Sequence, residues 1–459
     1  MAAVDIETGR TDTQDDNKEK FVRLLPLEKT LAKAGNNIST LTWFHGNYHQ
    51  AEALLKLRSD EILKANPWLG SRLITPFLDC KLAYKEQPNL DNHFECLTNL
   101  KPPISRDTPL EKLGPILSDY TVNTKLFRNV PLWKVIIIPC HKNPEEKFAV
   151  VHSMNHVIGD GHTFYHIQNM LLNWDEPVQP LIVERMATTV ASQTEAMGGK
   201  KESHILSSIG FLVAYVIGVI LSFILPGRKA VCKLYLMDIE AVKIAKEEAM
   251  NKPSKEEAMN KPCDSETSHS ESSDEESASS PSVQFVSTND VMTSSFFQAC
   301  EAKHGMMAMN FRNRMEGLGD LHAGNYENNI YYRPEDFASP ALIRKSVTPE
   351  EKGGAMVFQR RATQDVPINT GLCGLAFGTY GLATNWVSFC KPCSIPHCQE
   401  ELHMPLFDMA RFPNVLPPNM INQIVFRAGP ERFGVLLGGT AKTVKRLETE
   451  FPFLAGPLV

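Results

Sequence analysis

The chain has 459 residues, 42% of them hydrophobic and 22% charged, with a formal net charge of −6. It is too long for one small core and apolar enough to fold, so two packed units of ordinary domain size are expected. The acidic balance and the lack of a basic, aromatic-studded stripe exclude nucleic acid as the expected partner, and ten scattered cysteines read as reduced thiols, not a disulfide framework.

Residues 1–20 are polar, lack the apolar core of a signal peptide and read as a disordered start. Apolar spacing predicts a helix over 51–65, ending at Asn66-Pro67 and feeding a strand near 69–73. The block Pro131-Leu132-Trp133 opens a buried strand to Pro139, and a second apolar run over 148–155 is placed to pair with it across the polar loop 141–147. Residues 163–172 then read as a helix. Next, residues 205–225 hold no charge over 21 positions and are flanked by Lys200-Lys201 and Arg228-Lys229. Such a run is long enough to cross a bilayer. A single crossing, however, would put residue 156 and the C-terminal half on opposite sides. Docking in one leaflet, re-entry and packing on protein therefore stay open, and membrane association is the firmer expectation.

Residues 231–250 read as a strand and an amphipathic helix. The octamer Lys-Glu-Glu-Ala-Met-Asn-Lys-Pro occurs at 246–253 and again at 255–262, a local duplication ahead of a Ser/Glu/Asp-rich stretch. The whole of 246–282 is expected to be a disordered insertion. Ser287-Thr288-Asn289-Asp290 offers cap residues for a helix to 302. Strands are expected near 307–311, 328–332, 384–389, 422–427 and 435–437, with a closing helix over 441–451. Irregular alternation of strands and helices in both halves predicts an α/β two-layer sandwich used twice. Cys390-x2-Cys393, His397 and Cys398 hold soft ligands, but an adjacent pair rarely serves one tetrahedral metal, and no metal is assigned.

The segment that carries chemistry is His156-Val157-Ile158-Gly159-Asp160-Gly161. It places a histidine at a strand end, then a tight turn, then a helix. An imidazole there takes and returns a proton near neutral pH, the glycines let the chain turn, and Asp160 is placed to fix the loop.

These landmarks together resemble the coenzyme A-dependent acyltransferase superfamily of the HxxxD type. The nearest likeness is to the wax ester synthase/diacylglycerol acyltransferase group, through Pro131-Leu132-Trp133, Asn155-His156-x-x-x-Asp160-Gly161 and Asn289-Asp290. Asn155 stands where that group has the first histidine of a doublet. Asn310-Phe311-Arg312, Gly324-Asn325-Tyr326 and the 384–389 run, with Trp386 and Ser388, look more like features of the plant alcohol acyltransferases, and condensation domains share the fold. The resemblance covers roughly 21–459 outside the insertion.

It implies two chloramphenicol-acetyltransferase-like α/β sandwiches with the active site at their interface. The division is then a first lobe over 21–200, the apolar segment 201–228, and a second lobe from 229–245 and 283–459. By this resemblance His156 is the general base, acyl-CoA a co-substrate with no bound cofactor, and an alcohol the acceptor. Asp160 points away from substrate to pair with an arginine of the second lobe, Arg312 being the candidate, and Gly161 is backbone geometry. Asn289, Asp290, Gly324, Asn325, Trp386 and Ser388 are candidate substrate contacts and Trp133 a support. Bland readings stand beside these: Asn289 and Asp290 as helix caps, the tryptophans as core, Arg312 as a surface cation. A lipid alcohol, a small soluble acceptor and a non-catalytic scaffold remain three alternatives. Membrane association implies the endoplasmic reticulum with cytosolic catalytic lobes, and the soluble alternative implies the cytoplasm.

Overall fold

A computed structural model describes residues 19–34, 37–74, 80–122, 130–196, 220, 230–251, 285–352, 355–358, 379–407 and 420–459. Apart from Ile220, the uncharged run 205–225 lies outside them, as do 1–18 and 252–282. Among the described residues no helix is long and apolar enough to cross a membrane.

The first lobe is built on a five-stranded sheet in the order Gln399–Pro405, Asn37–His45, Lys147–Asn155, Trp133–Pro139, Phe94–Cys96. Its two Val/Ile-rich central strands form the antiparallel hairpin expected across 141–147, in register from Trp133 opposite Met154 to Pro139 opposite Phe148. Both are buried on both faces, which is why they read as continuous apolar runs. The helices Tyr48–Ala65 and Gly161–Leu172 pack on each other beside this sheet. The first helix is capped by Asn47, whose side chain accepts from the Gln50 amide.

The second lobe carries a seven-stranded mixed sheet in the order Glu327–Tyr332, His304–Asn310, Tyr380–Asn385, Met420–Gly429, Arg432–Thr440, Ala230–Met237, Leu454–Pro457. Tyr380–Asn385 runs parallel to both its neighbours. The helix Thr288–Ala299 packs on this strand and against the helices Ile239–Asn251, Pro340–Val347 and Ala441–Glu450. Buried Phe296, Phe297, Tyr332 and Phe451 anchor that core.

Three boundaries depart from expectation. Helix Ile239–Asn251 continues through 246–251, the opening of the stretch expected to be unstructured, because Lys246-Glu247-Glu248-Ala249-Met250 are all good helix formers. The strand expected over 384–389 is Tyr380–Asn385, and the chain turns from Trp386 onward. Finally, Gln399–Pro405 leaves the C-terminal half to pair antiparallel with Asn37–His45 of the first sheet. A buried ion pair, Arg427 Nη1 to Glu400 Oε1 at 2.8 Å, ties that strand to the second sheet.

Candidate active site

The site begins where the strand Lys147–Asn155 stops. The Asn155 side-chain oxygen accepts from the Val157 amide at 2.9 Å, and its carbonyl accepts from the Ile158 amide at 3.1 Å. This local turn bends the chain out of the ladder immediately before His156. Asp160 then caps the helix Gly161–Leu172, its Oδ1 accepting from the Thr163 amide at 2.9 Å. A Cβ on Gly159 would sit 2.6 Å from Thr163 Cβ, so only glycine fits between the histidine and its helix.

The second lobe meets this loop with residues 310–327. Arg312 Nη1 donates to Asp160 Oδ2 at 2.7 Å, with both side chains essentially excluded from solvent. The remaining guanidinium hydrogens go to the His322 carbonyl, Asn310 Oδ1, Thr163 Oγ1 and the Gly324 carbonyl, at 2.8 to 3.0 Å. All five donors are therefore engaged. Burial alone would raise the Asp160 carboxyl, but the Arg312 guanidinium more than reverses this and holds it below the usual carboxylate range. The Tyr326 amide also donates to Asp160 Oδ2, at 2.9 Å.

His156 faces this joint with its side chain 21% exposed. Its Nδ1 lies 2.9 Å from Asn325 Oδ1. The orientation of that amide is fixed from its other end: Asn325 Nδ2 donates to the His156 carbonyl at 2.8 Å and to Glu28 Oε1 at 3.3 Å. The oxygen must then face the ring, which assigns the ring proton to Nδ1 and leaves Nε2 as the basic nitrogen. Glu28 is in turn held by Arg185, Nε to Oε1 2.9 Å, in a second fully buried ion pair. The other near neighbour of the imidazole is Glu327, whose Oε1 lies 3.7 Å from Nε2.

No protein-family model matches the sequence, and no curated protein matches it. By structure, the chain resembles TRI101 of F. graminearum complexed with coenzyme A and deoxynivalenol over 94% of its own length and 97% of that chain, with a TM-score of 0.58 and 10% identity. It resembles vinorine synthase over 96% and 98% (TM-score 0.53, 12% identity), and the first condensation domain of the calcium-dependent antibiotic synthetase in complex with a substrate analogue over 94% and 94% (TM-score 0.53, 11% identity). The fold is the paired chloramphenicol-acetyltransferase-like sandwich.

In this paired sandwich His156, Asp160, Arg312, Gly324 and Asn325 come together where the two lobes meet. Several expected substrate contacts have other work. The Gly324 carbonyl accepts from the Asp160 amide, Thr163 Oγ1 and Arg312, and its φ of +135° with Arg185 against the Cβ position demands glycine. It holds the loop and presents no side chain to a substrate. Asp290 is buried, shares a capping box with Ser287 and pairs with Arg344 at 2.6 Å, so it serves the helix and not the substrate. Asn289 sits on the first turn of that helix, its amide donating to Met307 Sδ at 3.4 Å.

Trp386 is 9% exposed and packs in the core against Tyr165. Its indole nitrogen would be 3.2 Å from a Cβ on Gly161, which gives that glycine a packing role and no chemical one. The amides of Phe389 and Cys390 donate back to the Trp386 carbonyl, and this turn leaves Ser388 exposed on the outside. Trp133 is fully buried, its Nε1 donating to His152 Nε2 at 2.9 Å. Burial pushes His152 down to about 3, so it stays neutral. Among the described residues no cluster of three or more metal-binding side chains forms. Sequence reasoning missed Glu28, Arg185 and Glu327, which no local pattern distinguishes from surface charges.

Proposed function

We propose that the protein is an acyl-CoA-dependent O-acyltransferase with His156 as general base. One observation carries this reading: an imidazole at the lobe interface whose Nδ1 is held by Asn325, leaving a basic, partly exposed Nε2. The coenzyme A-bound TRI101 of the same fold supports acyl-CoA as co-substrate. An alcohol is a weak nucleophile at neutral pH. Nε2 takes the hydroxyl proton as the oxygen attacks the thioester carbonyl. The tetrahedral intermediate then expels the coenzyme A thiolate, which recovers the proton from Nε2–H. The histidine is restored and no covalent acyl-enzyme forms. Asp160 and Arg312 act by holding the loop, away from the reacting atoms.

The finer reading is a long-chain acyl donor and a lipid alcohol acceptor. It rests on the likeness to the wax ester synthase/diacylglycerol acyltransferase group and on the uncharged run 205–225, since both substrates partition into lipid. On the same ground we place the enzyme at a membrane, the endoplasmic reticulum, with its catalytic lobes in the cytosol.

The test is purified protein with a panel of acyl-CoAs (C2 to C16) and alcohols, reading ester formation and free coenzyme A thiol. His156→Ala should lower kcat by about 10²–10⁴-fold. Ester from no pair, or an undiminished rate in the variant, overturns the proposal.

A further inference from the structure

Glu327 opens the edge strand of the second sheet, opposite Asn310, and points its carboxylate at the reacting side of His156. It is not the histidine's orienting partner, because Asn325 already holds Nδ1 and the 3.7 Å gap to Nε2 exceeds hydrogen-bond length. The adjacent cation gives it no hydrogen bond, since every guanidinium hydrogen of Arg312 is engaged elsewhere, although the Arg312 charge favours the carboxylate. Among the described residues the Glu327 carboxylate receives no hydrogen bond, although its side chain is only 28% exposed. Burial pushes its carboxyl up from the ordinary range, as expected of an anion short of donors.

Two acceptor atoms, Nε2 and Oε1, thus stand 3.7 Å apart at the point where an attacking hydroxyl must arrive. Gauche hydroxyls on neighbouring carbons, with oxygens about 3 Å apart, match that spacing, each donating over about 2.8 Å. A lone hydroxyl satisfies only one of the two. Resting on the acyltransferase reading, we propose that Glu327 reads a second donor on the carbon beside the reacting one, so the preferred acceptor is an amphiphile with a 1,2-diol or 1,2-amino alcohol head. Fatty alcohols and diacylglycerol, which lack that second donor, are then poorer acceptors than lipids with a bifunctional head.

The matched probes are 1-hexadecanol, 1,2-hexadecanediol and 2-amino-1-hexadecanol, each with the acyl-CoA that gives most ester. The wild-type kcat/KM ratio of bifunctional to simple alcohol should be about tenfold or more, the range a hydrogen bond to a charged group gives. Glu327→Met should bring the ratio toward one. Glu327→Gln keeps an acceptor oxygen without the charge; it should retain part of the diol preference and lose any excess preference for the ammonium. A wild-type ratio near one, or a ratio unchanged in Glu327→Met, overturns the role of Glu327 while leaving the acyltransferase reading intact. Ester from none of the three, with ester from another alcohol of the wider panel, overturns the bifunctional lipid acceptor and leaves the acyltransferase reading; ester from no alcohol at all overturns both.

Discussion

Asn325 shows how one amide can settle which nitrogen of a histidine is basic. Its two donor hydrogens are fixed by the His156 carbonyl and by Glu28, so its oxygen has nowhere to turn but the ring. Asn325→Leu keeps the side-chain volume and removes the lock. The ring is then free to flip or change tautomer, and kcat should fall roughly 10–100-fold, the cost seen when a partner that orients an imidazole is lost. KM for acyl-CoA should change little, and steady-state kinetics separate the two. A variant whose loss lies wholly in KM would mean that Asn325 contacts substrate instead. His156 and Asp160 were legible in the sequence because their motif is contiguous and brings its own turn glycines, whereas Arg312, 152 residues further on, was reached only through the family resemblance. Glu28 and Glu327 were not, because a carboxylate becomes unusual only when tertiary structure takes away its water and its neighbours.

The same contrast holds for whole elements. The long apolar strands and capped helices were readable because period and burial agree. The strand Asn37–His45 was not predicted at all, although it lies between two others in the first sheet. Its hydroxyls look polar on paper, yet each has a buried partner: Ser39 with Ser153, Thr40 with Gln168, Thr42 with His403. Polar patterning says nothing when the partners lie far along the chain. Asp290 illustrates the opposite hazard, a conspicuous acidic residue whose work is local. Its carboxylate caps the helix Thr288–Ala299 and pairs with Arg344. Asp290→Ala removes both and should destabilise the protein by about 2 kcal/mol. The KM for either substrate should stay within twofold; a selective rise for one would return Asp290 to the binding site.

Across the whole molecule, the two sandwiches are joined by buried charge at the place where the chemistry is proposed. Asp160 comes from the first lobe and Arg312 from the second, and neither reaches solvent. In the folded state the Asp160 carboxyl lies below its ordinary range, so the unfolded chain takes up the proton first as pH falls. The stabilisation is therefore complete above the ordinary aspartate value of about 3.9 and drains away as pH drops from there toward the lowered folded value. Asp160→Asn has no such proton to gain. It should be less stable than wild type at pH 7, because Arg312 then lies buried without its counter-charge, a loss on the order of 3–5 kcal/mol where the partner is removed outright. Its melting temperature should nevertheless fall less steeply than wild type between pH 5 and pH 3. Parallel slopes for the two proteins would mean that this interface pair does not govern acid stability. A shallower slope with activity lost at pH 7 would tie the alignment of the lobes to the aim of His156.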